Sequence, residues 1–561
     1  MSICCPRIVG NPYLGITSRL LVIQAQSAVM KLIARVVAAG ASLAWQPMNN
    51  REVQAAWKYH DGTKHSHWSI RHNPHFLDWA NRPLPFKVYP KIDPLPLPRD
   101  VPQTVVAALS AISVPVPSSR ADSVPSVQDL ARLLYFSAGI TKQRAYPGGE
   151  IYFRAAACTG ALYEIELYVV SSDLRGLDAG VYHFNPADVS LRLLRMGDFR
   201  GNLAQATAME PAVAHAPATI ICTGTYWRNA WKYQARTYRH FGWDNGTLLA
   251  NMLAVSVASA LPAEIVLGFV DAEVNRLLDL DTRREVSLCL VPIGRTSESS
   301  LPAPREALAL GLETIPLSQH EVEYPAMLEM HDASSLESVE EITQWRAKPP
   351  VLPSSAVASE AVRLPRLPED EQSKDTIEQV ILRRGSTRTF DKAASITLAQ
   401  LSTILDYATR GLPADFLELP GAQLNDLYMI VHSVQDLRPG TYFFGREQNS
   451  AELLKEGEFR AAAYHLGLEQ ELPADACVDI FFLADLKPIL ERYGNRGYRA
   501  VQLEAGIVGG KIYLAAYAQH LGATGLTFFD DDVVNFFSPH AKDKSSIFLV
   551  AIGKPLKRKP W

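Results

Sequence analysis

Lys232-Tyr-Gln-Ala-Arg-Thr-Tyr-Arg239 returns 260 residues later as Arg492-Tyr-Gly-Asn-Arg-Gly-Tyr-Arg499. The same shift lays Leu167-Tyr168 on Leu427-Tyr428, and Gly180, Tyr182 and Phe184 on Gly440, Tyr442 and Phe444. It also lays Gly246 on Gly506, and Asp271, Val274 and Asn275 on Asp531, Val534 and Asn535. Residues 165–294 and 425–553 therefore read as one unit written twice. A solenoid repeats every ~20–50 residues, far below this period, so the reading is two copies of a whole domain, packed as a homodimer packs. Function is to be sought between the copies.

The 561 residues are 47% hydrophobic and 20% charged, ordinary for a globular protein. A net charge of −4 sets up no basic field for nucleic acid or an anionic membrane, which leaves small molecules or a protein as partners. Six cysteines without a Cys-x-x-Cys pair or a disulfide spacing suit a reducing cytoplasm. The apolar run Leu20–Trp45 is broken by Gln24, Gln26, Lys31 and Arg35, so no membrane span is expected. A secretory signal starting at Met30 ranks below a disordered or mis-assigned start, because Arg35 interrupts its apolar core.

Composition then divides the chain. Residues 1–48 are an N-terminal extension, and 49–105 an aromatic, His- and Pro-rich extended arm ending in Pro94-Leu-Pro-Leu-Pro98. Domain one covers 106–296, a polar connector with a helix inside Leu336–Arg346 covers 297–374, and domain two covers 375–561. Apolar periodicity predicts helices at Val127–Ala138 (capped by Ser126), Thr247–Ala260, Asp375–Arg384, Leu398–Thr409 and Gly506–His520. Strands are predicted at Tyr163–Ser171, Gly180–Phe184, Ala218–Thr223 and Val286–Ile293, and again at Leu427–His432, Gly440–Phe444, Val478–Ala484 and Ser546–Ile552. The fold class is α+β, with sheets covered by helices and topology left open.

Arg383-Arg-Gly-Ser-Thr-Arg-Thr-Phe390 is the sharpest local motif. Arg384 and Arg388 stand one helical repeat apart, Gly385 permits a turn and Ser386 adds a hydroxyl, a set suited to a phosphate dianion. Taken alone, the favoured reading is a helix C-terminus whose arginines answer the macrodipole. His65-x-His67 sits among five arm histidines, but no carboxylate or Cys pattern completes it, so no metal site is expected. P-loop, Gly-x-Ser-x-Gly, His-Glu-x-x-His and dinucleotide glycine motifs are absent, which removes several hydrolase and Rossmann readings.

In order along the chain, Tyr59-His-Asp-Gly-Thr-Lys-His-Ser66, Leu77-Asp-Trp-Ala-Asn-Arg-Pro83, Ala157-Cys-Thr-Gly-Ala-Leu-Tyr-Glu164, the two Lys/Arg-Tyr segments and Arg383–Phe390 resemble the nitroreductase superfamily. The resemblance is closer to its SagB-type branch, flavin-dependent dehydrogenases that include the azoline oxidases of peptide maturation, and it covers nearly everything after residue 50. It implies two tandem FMN-dependent nitroreductase-like domains forming an intramolecular pseudo-dimer. In the family, each FMN site takes an Arg-Arg-Ser segment and a C-terminal basic residue from one subunit and a Pro-Ser-type loop from the other. Carried onto this chain, Arg384, Ser386 and Arg388 serve the phosphate or ribityl chain, and Cys158, Thr159 and Gly160 stand opposite the ring. Gly525 and Leu526 line the pocket, and Lys557 or Arg558 is the C-terminal cation. The family loop reads Pro-Ser-Ala-Gly-Ala-Leu-Tyr-Pro; Ala157 stands where the family often has Pro, and Gly385 where it often has a second Arg, departures that imply a reduced flavin affinity.

The copies are unequal. Val116-Pro-Ser-Ser-Arg120 in domain one lacks the first arginines, and domain two has Glu418-Leu-Pro-Gly-Ala-Gln-Leu424 in place of the loop. The two retained halves belong to one hybrid site, which implies one intact FMN pocket and one decayed pocket. The Lys232-Tyr233 pair matches a proton-abstracting element of azoline oxidases, although its repeat partner Arg492-Tyr493 favours a structural role. Cys158 is read as a small buried hydrophobe rather than a reactive thiol. The expected activity is hydride transfer between flavin and an organic substrate, such as a peptide azoline, with a peptide-maturation protein as partner. The alternatives are NAD(P)H-dependent reduction of nitroaromatics or quinones, and a flavin-free pseudoenzyme that docks a partner.

Overall fold

Ile165–Ser171, Ala218–Thr225 and Glu285–Ile293 are rich in β-branched residues and buried along their whole length, so they take neighbouring places in one sheet. The computed structural model describes residues 50–556 apart from 73, 101, 114–121, 147–148, 298–300, 348–360 and 418–421. The expectations for residues 1–48, for Val116–Arg120 and for Lys557 and Arg558 lie outside the described residues. The first sheet runs Pro94–Pro96, Ser190–Met196, Gly180–Asn185, Ile165–Ser171, Ala218–Thr225, Glu285–Ile293, every neighbouring pair antiparallel. The second runs Gly522–Leu526, Ser545–Gly553, Val478–Ala484, Asp426–Val431, Gly440–Gly445, Ser450–Glu456, Val362–Arg363. Five strands of each keep the same order at a shift close to 260, and one continuous core joins both halves in a single compact unit. No helix among the described residues is long and apolar enough to cross a membrane.

The two long helices start earlier than their apolar runs. The expected Thr247–Ala260 is Thr237–Ala258, and the expected Gly506–His520 is Arg496–Ala518. Their first turns carry buried polar side chains, Arg239, His240 and Asp244 in one and Arg496 and Arg499 in the other; the arginines pair with carboxylates of the other half while His240 and Asp244 meet Asn229 and Thr159 of their own, so polarity hid them from the periodicity. The helices cross at a pair of glycines that the sequence shift equates. A Cβ built on Gly246 would lie 2.5 Å from Gly506 Cα, and one on Gly506 would lie 2.6 Å from the Gly242 carbonyl. Substituting Gly246→Leu therefore forces the helices apart and is expected to cost about 3 kcal/mol, read as a lower urea midpoint at unchanged slope.

The connector and the arm are also related. Helix Gln54–Gly62 of the arm and helix Pro325–Ala333 of the connector lie 271 residues apart, and each is followed by a matching set of contacts. The Arg239 guanidinium donates to the His60 carbonyl and Thr63 Oγ1, while that of Arg499 donates to the His331 carbonyl and Ser334 Oγ. His60 Nδ1 meets Tyr498 Oη at 3.2 Å, and His331 Nδ1 meets Tyr238 Oη at 3.3 Å. Burial, followed by the neighbouring arginine, lowers the pKa of both histidines well below the ordinary value, so they act here as neutral packing groups. The repeat thus reaches beyond 165–294 into the arm, and part of the connector is the second copy of that arm.

Candidate functional site

A β-hairpin, Ile140–Tyr146 and Gly149–Arg154, delivers the chain into the loop that begins at Ala157. Gly160, Ala161 and Tyr163 all have left-handed backbone, with φ of 62°, 54° and 55°. For two non-glycine residues this costs about 1–2 kcal/mol each, so the surroundings must hold the loop in place. Three contacts do so. The Thr159 N–H and Oγ1 donate to Asp244 Oδ1 at 2.8 and 2.9 Å, and Thr247 Oγ1 donates to the Ala157 carbonyl at 2.6 Å. Arg384 of the second half donates from Nε and a terminal nitrogen to the carbonyls of Ala155 and Arg154.

That placement corrects the role expected for Arg384. It does not line the cavity beside the loop; its guanidinium fastens the second half's motif to the first half's backbone. The motif is fixed to its own half as well, because the Thr387 N–H donates to the Ala523 carbonyl in the edge strand Gly522–Leu526.

The cavity, about 330 Å³, opens where the halves meet. Cys158, Thr159, Gly160, Lys232 and Tyr233 line it from the first half, and Ser386, Arg388, Gly525 and Leu526 from the second. Lys232 and Arg388 have no ion-pair partner among the described residues. Burial, then the Arg388 charge, lowers the Lys232 pKa. Tyr233 behaves oppositely: burial, then the Asp244 charge, pushes its phenol well up, so it keeps its proton. A Cβ on Gly160 would meet the Tyr233 hydroxyl at 2.9 Å, so the loop and the Lys232-Tyr233 pair share one wall.

Reading from the sequence missed His240, Trp243, Asp244 and Thr247, which also face this cavity. Their spacing is one helical face, and it was legible once the helix begins at Thr237 rather than Thr247. His240 is kept neutral by burial and then by Arg236, and its Nδ1 meets Asn229 Oδ1 at 2.9 Å. From the other half come Tyr513, whose hydroxyl accepts from the Gly525 N–H, and Phe548.

The mirrored position differs. Glu504, the counterpart of Asp244, accepts from the Leu424 N–H at 3.0 Å and Asn425 Nδ2 at 2.6 Å. The first-half segment around Ile265, counterpart of the edge strand at Gly525, donates its N–H to the Pro413 carbonyl. Beside Pro413, Lys511 Nζ donates to the Gly411 carbonyl at 2.8 Å, its pKa brought down to about 8 by burial and then by Arg446.

Comparison with known proteins places these features. Residues 381–554 match the Nitroreductase family model. A Methanocaldococcus jannaschii protein assigned as a nitroreductase, MJ1384, is 27% identical over 173 residues, 31% of this chain and 82% of its own length. The trifolitoxin-processing protein TfxB of Rhizobium leguminosarum is 28% identical over 200 residues, 34% of this chain and 53% of its own length, so the match spans about half of that protein. A crystal structure of an Anabaena variabilis protein assigned as a nitroreductase superposes with a TM-score of 0.70 at 25% identity, covering 89% of this chain and 99% of that one. The chain therefore has the nitroreductase fold in both halves, and residues 381–554 match the model of that family.

Proposed function

We propose that the chain is an FMN-dependent oxidoreductase, an intramolecular pseudo-dimer that holds one flavin in the cavity shared by its halves and passes hydride between that flavin and an organic substrate. The observation that carries this reading is the convergence of Cys158–Gly160 and Lys232-Tyr233 from one half with Ser386, Arg388 and Gly525-Leu526 from the other on one cavity. The residues present fit the group: Arg388, which has no carboxylate partner among the described residues, and Ser386 suit a phosphate dianion, and a volume near 330 Å³ is that of a small-molecule cleft. The meeting of Gly246 with Gly506 supports a pseudo-twofold relation, since equivalent residues touch only on such an axis. Counting flavin by visible absorbance of the purified full-length protein tests the proposal, with about one per chain expected. A colourless protein that gains no flavin on reconstitution would leave the docking pseudoenzyme in its place.

Flavin, when bound, supplies the two-electron acceptor or donor. Lys232 is the better base of the pair, because its lowered pKa raises the neutral fraction, while the protonated Tyr233 donates a hydrogen bond. Likeness to a trifolitoxin-processing protein supports a modified peptide, oxidised at a C–N ring, as substrate ahead of a nitroaromatic. A base acts in its neutral form, so the rate of substrate oxidation should rise with pH up to the lowered Lys232 pKa and then level. Stopped-flow flavin reduction should lose that limb in Lys232→Met; an unchanged profile would assign the pair a structural role.

A further inference from the structure

Two cavity-lining residues, Cys158 and Asp244, meet the buried Glu164 just behind them. Cys158 Sγ lies 3.3 Å from Asp244 Oδ2 and 3.4 Å from Glu164 Oε2, and one donor atom from each residue falls within 4.8 Å of the other two. Neither carboxylate forms an ion pair among the described residues. Glu164 is fully buried and its Oε1 has no hydrogen-bond partner among the described residues. Tyr233, Tyr163, Arg154 and Arg384 are charged or titratable groups around the cluster, Lys232 and Arg388 line the same cavity, and Arg154 donates to the Pro85 carbonyl beside Phe86 and Tyr163.

We propose that Cys158, Glu164 and Asp244 are the three protein ligands of a divalent metal site of the zinc class, with its fourth position open to the cavity. Metal–sulfur and metal–oxygen bonds of about 2.3 and 2.0 Å in a tetrahedron place sulfur about 3.5 Å from oxygen. The two sulfur–oxygen spacings seen here, 3.3 and 3.4 Å, close around a metal with shifts of tenths of an ångström.

The supporting contacts are those of an oriented ligand set. Thr159 occupies Asp244 Oδ1 with two hydrogen bonds and leaves Oδ2 toward the sulfur. The Tyr163 N–H donates to Sγ at 3.0 Å, a bond that a thiolate strengthens. The thiol itself also lies 3.7 Å from the Thr159 carbonyl, a weaker contact that metal binding would release. Left-handed backbone at Gly160, Ala161 and Tyr163 turns the loop so that Cys158 and Glu164 reach one point.

Chemistry narrows the cation. A sulfur ligand disfavours magnesium and calcium, and mixed sulfur and carboxylate oxygen suits zinc, whose binding would release the thiol proton to solvent. An open coordination position at the cavity would polarise a carbonyl or bind a thiolate. The site shares Cys158 and the cavity with the flavin reading, and its metal count and cobalt spectrum are read separately from flavin content.

The full-length protein, treated with a chelator and dialysed against zinc, should retain about one zinc per chain and unfold at a higher temperature than the stripped protein. Cobalt in place of zinc should give sulfur-to-cobalt charge transfer and visible d–d bands in the red, beyond flavin absorption. Cys158→Ser should lose the charge transfer, and Asp244→Asn should lose stoichiometric retention. Absence of bound zinc in the native protein would overturn the assignment, as would cobalt held without a sulfur band or metal retained equally by both variants. The cobalt spectrum of the unaltered protein decides the matter even where a variant fails to fold.

Discussion

Asp530→Asn is expected to destabilise the chain by about 3–5 kcal/mol, because it leaves two buried guanidinium charges without their counter-charge. Asp530 Oδ1 accepts from Arg239 at 2.6 Å, and Oδ2 accepts from Arg236 at 3.0 Å and from the His65 N–H at 2.8 Å. All three charged side chains are buried, and the aspartate belongs to the second half while both arginines belong to the first. The mirrored network has Asp271 of the first half against Arg496 and Arg499 of the second, at 2.7 Å each. Each half thus carries the counter-ion for the other, so a urea titration should show one transition for both halves. Asp531 is the informative control: the sequence shift equates it with Asp271, yet it is largely exposed and pairs only with Lys64. Asp531→Asn should change stability by no more than about 0.5 kcal/mol.

Acid should reproduce the same loss. Burial alone would raise the Asp271 pKa, but Arg496 and Arg499 outweigh it and hold the carboxyl at about 2; Arg236 and Arg239 hold Asp530 lower still. Unfolded aspartate titrates near ~3.9. The folded pKa is depressed, so this stability is fully present above about pH 4 and is lost as pH falls toward 2. The urea midpoint should fall steeply over that window, and less steeply in Asp530→Asn, where one of the two groups no longer titrates.

Strand positions were legible because buried strands alternate little and end at turn residues, and the observed bounds lie within two residues of those expected for Ala218–Thr225 and Ser545–Gly553. Two things were hidden for physical reasons. The first turns of the long helices are polar because they meet buried polar and charged groups of both halves, so apolar periodicity could not find them, and the cavity face at His240, Trp243 and Asp244 was lost with them. The arm's second copy inside the connector shares little beyond His60-Asp-Gly-Thr63 and His331-Asp-Ala-Ser334, since what repeats is a pair of carbonyls and a hydroxyl offered to an arginine, which many sequences can supply. Within Arg383–Phe390, Arg384 could not be told from Arg388 without knowing which guanidinium meets backbone carbonyls.

Removing the second-half cation of the shared cavity should strip flavin from the full-length protein. Arg388 reaches the cavity beside Ser386, and a charge-assisted bond to a phosphate is worth about 1.5–3 kcal/mol, or roughly 10- to 150-fold in affinity. Arg388→Ala should weaken retention by such a factor, read as flavin lost on gel filtration, whereas Lys232→Met should keep the flavin and lose the pH-dependent limb of its reduction. Gly160→Val strikes the same site from the loop, because its φ of 62° is strained for any side chain and the new Cβ meets the Tyr233 hydroxyl. Arg384→Ala should behave differently: its partners are the Ala155 and Arg154 carbonyls, so it should lower the thermal midpoint together with flavin content. Expressing residues 370–561 alone is the weaker test, because Arg496 and Arg499 would then lose Asp271 and the fragment would fail for reasons unrelated to the ligand. Two equivalent flavins per chain, or full retention in both Arg388→Ala and Gly160→Val, would contradict a single site built from both halves.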